Sequence, residues 1–149
     1  MNPIEARAAL DGIDDVQRAL ALKATYCPPW RHAAFGLVMA MLVFGQGFGL
    51  AVQMPLFAFA MLGVVLLVTD DRRRYGVFVN GYRKGRTRPV SIVLLIATLA
   101  AMGGEIHARL AGLSLATKLG LAGLAFAVAV GASVAWSRVY RRELTGGGT

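Results

Sequence analysis

The sequence predicts an all-α membrane protein. It has four transmembrane helices in two antiparallel hairpins, an amphipathic N-terminal helix, and a small cytoplasmic β-hairpin between spans two and three. Three observations lead there. Of 149 residues, 56% are hydrophobic and 16% charged, whereas a soluble domain carries about 25% charged residues. Charge is absent from residues 33–69, 89–104 and 119–137, and apolar runs of about 18 residues or more suit a hydrocarbon core about 30 Å thick. The basic residues crowd into the segments between these runs. A soluble bundle is not expected, because four such helices could not all be buried in so short a chain.

Residues 1–31 form the entry segment. Asn2 and Pro3 suit a helix cap and first turn. Ile4, Leu10, Ile13, Val16 and Leu20 then fall on one side at helical spacing, with Asp11, Asp14, Asp15 and Arg18 mostly opposite. Surface-lying membrane helices favour Lys and Arg on the polar face. The acidic face here favours packing on protein, with the basic central segment as a candidate. No secretory pattern opens the chain. The single cysteine, Cys27, excludes an intrachain disulfide and lacks the small-residue box of a lipoprotein signal. Pro28-Pro29 ends the helix, and Trp30 beside His32 suits the membrane interface.

Residues 32–70 form the first transmembrane hairpin. The charge-free run Ala33–Thr69 is too long for one span and just enough for two. Gln53 and Pro55 mark the expected break, giving spans over about 32–50 and 55–70. Gly45, Gly47 and Gly49 lie at the end of the first span, where fraying near the turn is expected. Residues 89–137 form the second hairpin, with spans over about 89–104 and 119–136 and, at 104–114, a loop with room for one short interfacial helix. In the last span Gly123, Ala127, Gly131 and Ala135 recur every four residues, beside a row of Ala125, Ala129, Ser133 and Ser137. Small residues at this spacing let another helix approach closely. The partner is either a helix of the same bundle or a second copy. Residues 138–149 form a cytoplasmic tail. Both halves share one plan, a basic approach and a two-span hairpin, although they do not align residue by residue.

Residues 71–88 concentrate seven of the sixteen Lys and Arg. Counted by side, fourteen basic residues lie with the termini and this segment, and two, Arg109 and Lys118, lie in the second hairpin turn. The positive-inside rule then places both termini and the central segment in the cytoplasm. Inside the segment, Val77-Phe78-Val79-Asn80-Gly81-Tyr82 reads as a β-hairpin, since Asn-Gly suits a two-residue type I′ turn. Tyr75 would pair opposite Arg86. Such a ribbon needs a surface to lean on. Arg72, Arg73, Arg74, Tyr75, Phe78, Tyr82, Arg83, Lys84, Arg86 and Arg88 are the candidate contacts to anionic lipid or a protein partner. The simpler reading makes them topology determinants alone. Nucleic acid is not expected, because the net charge of +8 is mostly the positive-inside pattern.

Chemistry-bearing residues are few. No ionisable residue lies inside any expected span, and such residues usually mark function in lipid. Gln46, Thr98 and Ser133 are the polar candidates within spans, read first as helix–helix hydrogen bonds. Glu105 and His107, with Arg109, form the best reactive cluster, but one His and one Glu do not specify a metal site. Asp70 and Asp71 are expected to pair with Arg72–Arg74 or to be solvated. No nucleophile–base set, Cys/His cluster or phosphate loop is present. No catalytic residue, metal or cofactor is therefore expected.

The run RRRYGVFVNGYRKGRTR, residues 72–88, resembles a loop of small bacterial multi-pass membrane proteins in which a basic run precedes a Gly-Val-aromatic-Val strand and a second basic run. The resemblance covers this loop and the hairpin layout and implies no activity. Small multidrug exporters, of similar size, carry a membrane-embedded Glu in their first span, and this chain has none there. The expected function is that of a non-enzymatic bacterial inner-membrane accessory or scaffold subunit, binding anionic lipid of the cytoplasmic leaflet and either a protein partner or further copies. An oligomeric small transporter or channel, with a pore lined by Gly and Gln46, is the alternative. A membrane enzyme would require Glu105 and His107 to converge with groups from elsewhere.

Overall fold

A computed structural model describes Gly12, residues 28–75 and residues 88–145. Four helices make up these residues: α1 (Pro29–Gln46), α2 (Leu50–Tyr75), α3 (Arg88–Leu110) and α4 (Leu115–Thr145). The α2, α3 and α4 helices are each long and apolar enough to cross a membrane. The chain is therefore a helical membrane protein. The α1 helix is not among those three. It has 18 residues, about 27 Å at 1.5 Å per residue, and carries Arg31, His32 and Gln46 near its ends.

Each helix starts and stops for a local reason. Pro29 opens α1 at a first-turn position that needs no amide hydrogen, and extended Pro28 accepts from the Arg31 amide at 3.0 Å. The turn Gly47-Phe48-Gly49 separates α1 from α2, and the Gly49 carbonyl accepts from Val52 and Gln53. The α3 helix ends in a Schellman motif. The Leu113 amide donates to the Ala108 carbonyl at 2.8 Å and the Gly112 amide to that of Arg109 at 3.2 Å, with Gly112 at φ +64°. Ser114 then caps α4, its Oγ accepting from the Thr117 amide at 3.3 Å.

Several expectations are corrected. The first break falls at 47–49, so Pro55 sits inside α2. It removes one backbone hydrogen bond near the helix start, a loss that membrane helices tolerate. The α3 helix continues through the expected loop at 104–114 as far as Leu110, and α4 continues past the expected span into the tail. Three of the four expected spans are helices long and apolar enough to cross a membrane, and α1 packs beside them. The β-hairpin is also overturned: the described residues contain no strand, and Tyr75, expected in the ribbon opposite Arg86, completes the last turn of α2. Helical propagation from α2 outweighs the local strand pattern there. The remainder of the expected hairpin, residues 76–87, and the amphipathic helix expected over residues 3–24, apart from helical Gly12, lie outside the described residues.

The α1 helix is the hub. It packs on α2, α3 and α4, and α3 packs on α4, whereas the Cα traces of α2 and α3 nowhere approach within 8 Å. Small side chains make the close approaches. Val38 and Val43 of α1 are buried with Ala60 of α2, Ala108 of α3, and Ala122, Ala125 and Ala129 of α4. Leu62, Leu66, Val93, Ile96 and Leu124 point outward. A soluble bundle would reverse that distribution, and lipid-facing helices require it. A Cβ at Gly36 would lie 2.6 Å from Val130 Cγ2 and 3.0 Å from a Phe126 ring carbon, so α1 and α4 meet where no side chain fits.

Gly36→Ala is expected to lower the thermal unfolding midpoint in detergent, by an amount equivalent to about 1–3 kcal/mol. Gly120→Ala meets no atom within 4 Å of the new methyl and should cause no loss. Circular dichroism melts of both variants make the comparison.

Candidate functional site

Polar side chains concentrate at the two ends of α1. At its start, Arg31 donates from Nε to Asp71 Oδ1 at 2.7 Å and from Nη2 to Oδ2, a two-pronged ion pair between α1 and α2. His32 Nδ1 lies 2.8 Å from Ser133 Oγ of α4. Asp71 is buried. Its partner lies 40 residues away in the chain, not among the adjacent arginines as expected, because the carboxylate faces inward on α2 while Arg72 and Arg73 are exposed.

At the other end of α1 the 47–49 turn is clamped from the second hairpin. Lys118 Nζ of α4 donates to the Gly47 carbonyl at 2.7 Å and lies 4.7 Å from the centre of the Phe48 ring. Arg109 Nη1 of α3 donates to the Phe48 carbonyl at 2.8 Å. Cations suit these carbonyls because the negative end of the α1 dipole lies there. Phe48 also meets Phe44 edge-to-face at 4.8 Å. Beneath the turn lies Glu105, with no solvent exposure. Neither carboxylate oxygen has a hydrogen-bond partner among the described residues. Lys118 is the cation that attracts it. Gly47 makes room for this carboxylate: a Cβ there would collide with Oε2 and lie 3.2 Å from Lys118 Cδ. Gln53 Nε2 donates to Gln46 Oε1 at 3.0 Å, joining α1 to α2 beside the turn.

The predicted site residues thus separate. Glu105 turns inward and His107 is exposed, as their spacing of two on a helix requires. Gln46 bonds across to Gln53, and Thr98 bonds back to the Leu94 carbonyl of its own helix. The α4 row divides: Ala125 and Ala129 are buried, while Gly123, Ala127 and Gly131 face outward and Ala135 is half-buried. Arg88 is exposed at the start of α3. Arg74 and Tyr75 belong to the last turn of α2. Phe78, Tyr82, Arg83, Lys84 and Arg86 lie outside the described residues. No group of three His, Cys, Asp or Glu that could hold a metal occurs among the described residues.

Sequence reasoning missed the parts played by Gly47, Phe48 and Lys118. The usable signal was the Glu105–Arg109 spacing of four, which places both on one helix face once α3 is allowed to run to Leu110. No family model matches the chain, and no curated protein or solved structure matches it.

Removing one member of the Arg31–Asp71 pair leaves an uncompensated charge in a confined place. Arg31→Met and Asp71→Asn are each expected to destabilise the bundle by about 3 kcal/mol. The double variant should lose less than the two combined, and a double-mutant cycle on unfolding midpoints reads the difference. The same cycle on Glu105→Gln and Lys118→Met should give a coupling of about 0.5–3 kcal/mol.

Proposed function

We propose that this protein is a non-enzymatic bacterial inner-membrane component, an accessory or scaffold subunit that assembles laterally through its helix faces. In this reading α1 lies in the membrane as a fourth crossing segment. Both termini and the basic segment between α2 and α3 face the cytoplasm, where the arginines contact anionic lipid or a protein partner. The observation that carries the reading is the outward row on α4. Gly123, Ala127 and Gly131 are exposed, and a Cβ at either glycine would meet no atom within 4 Å. Such a row offers a second helix close backbone approach, the main source of helix association in lipid.

A second reading, an oligomeric transporter or channel, is favoured by Glu105. An ionisable residue enclosed among membrane helices commonly marks a path for an ion or proton.

Extraction into lipid particles followed by intact-mass measurement tests the assembly reading. The expected result is a defined complex, either of several copies or with a fixed partner, that Gly131→Leu dissociates at least tenfold while leaving helicity unchanged. A monomer in lipid particles would remove the reading. Flux into vesicles abolished by Glu105→Gln or Gln46→Leu would support the transporter instead.

A further inference from the structure

The gap between α2 and α3 is a built groove. Both helices pack on α1 and not on each other, leaving a space of about 450 Å³. Val38 of α1, Val64 and Leu67 of α2, Leu94 and Leu95 of α3, and Ala132 of α4 line it. The lining is overwhelmingly apolar, and its polar end is the Arg31–Asp71 pair. The two helices beside the groove expose Val65, Leu66, Ile92 and Ile96, apolar side chains suited to hydrocarbon.

Size and charge select the occupant. A helix is about 10 Å across, so even two turns need about 800 Å³. A single alkyl chain fits where a helix does not, and its contact with an apolar lining is favourable where water's is not. At the Arg31 end, α2 presents exposed Arg72 and Arg73 one and two residues beyond the lining Asp71. There α3 presents exposed Arg88 two residues before the lining Val90. With Arg31 these make four guanidinium groups against the two carboxylates of Asp70 and Asp71, a local surplus of positive charge.

We propose that this groove is a binding site for one acyl chain of an anionic membrane phospholipid, whose phosphate head rests among Arg72, Arg73 and Arg88. The site rests on the membrane reading above and gives its anionic-lipid contact a definite place. A chain held between α2 and α3 completes the packing that those helices do not make with each other.

The full chain, reconstituted with equal amounts of dioleoyl phosphatidylglycerol and dioleoyl phosphatidylcholine, is weighed intact with its retained lipid. One phosphatidylglycerol per protomer is expected, retained at least fivefold over phosphatidylcholine. Leu94→Trp fills the groove and leaves every charge in place, so the retained lipid should be lost. Should that variant fail to give a helical protein, Val64→Trp fills the groove from the opposite wall. Replacing Arg72, Arg73 and Arg88 with Gln should keep a retained lipid and abolish the head-group preference. Equal retention of the two lipids, no retained lipid, or undiminished retention by the tryptophan variants would overturn the proposal. The last result would mean that charge alone holds the lipid. Lipid is counted per protomer, so the outcome stands whether the protein proves monomeric or assembled.

Discussion

Close backbone approach along α1 is the constraint on which the rest of the bundle depends. In hydrocarbon the apolar surface of a helix has nothing to gain by leaving one greasy neighbour for another, so helices hold together where shape and polar groups allow. The α1 helix meets that requirement along its length. Gly36 admits Phe126 and Val130 of α4, and Val38 fits against Gly63 of α2, where a Cβ would lie 2.7 Å from its Cγ2. Among the described helices, the one that touches the other three is also the shortest. Its Arg31 and His32 reach α2 and α4 at one end, and its Gln46 and Gly47 reach the same two helices at the other. Interhelical bonds at both ends with small-residue contacts between them set the distance and register of each neighbour.

The membrane class and the approximate place of each helix were legible in hydropathy, because the thickness of a bilayer sets the length of an apolar run. The ends were less legible. Between α1 and α2 the sequence offers two breaks, glycines at 45–49 and a proline at 55. Proline near a helix start loses a single hydrogen bond, whereas three glycines in five residues weaken every turn they enter. The chain turns at the glycines. At 104–114 the charges argued for a loop, yet a helix can carry charge past the apolar region when a partner lies opposite, and Lys118 serves Glu105 in that way. No count of local charge could show that α4 would bring a cation there. The short-range Asn-Gly signal foresaw a strand entry where α2 simply runs on through Tyr75.

The two small-residue rows of α4 illustrate a finer limit. A strict spacing of four advances 40° per step on an α-helix, so the row through Gly123, Ala127 and Gly131 winds steadily around the helix. The buried positions Ala122, Ala125 and Ala129 follow the alternating spacing of three and four that keeps one face toward a bundle. Ser133 then pins that face by its bond to His32. Composition alone could not separate the two rows, since both are made of Gly, Ala and Ser. Both rows keep the spacing of four, so the discriminating feature is a polar residue, Ser133, that has a partner on α1.

The ends of α1 differ in a way that separates structure from function. Arg31 and Asp71 match each other in geometry, so their burial is accounted for by the clasp between α1 and α2. Glu105 has Lys118 nearby but no such match in geometry. Lys118 spends its short hydrogen bond on the Gly47 carbonyl, Arg109 on that of Phe48, and the carboxylate between them accepts none from the described residues. Burying a carboxylate without hydrogen bonds costs several kcal/mol, and an alanine or leucine in its place would pack without that cost. The bonds from Lys118 and Arg109 to the 47–49 turn do not run through the Glu105 carboxylate. Stability therefore explains Lys118 and Arg109 and does not explain Glu105, and a group that stability does not explain in the interior of a membrane bundle is where an activity, if this protein has one, should be sought.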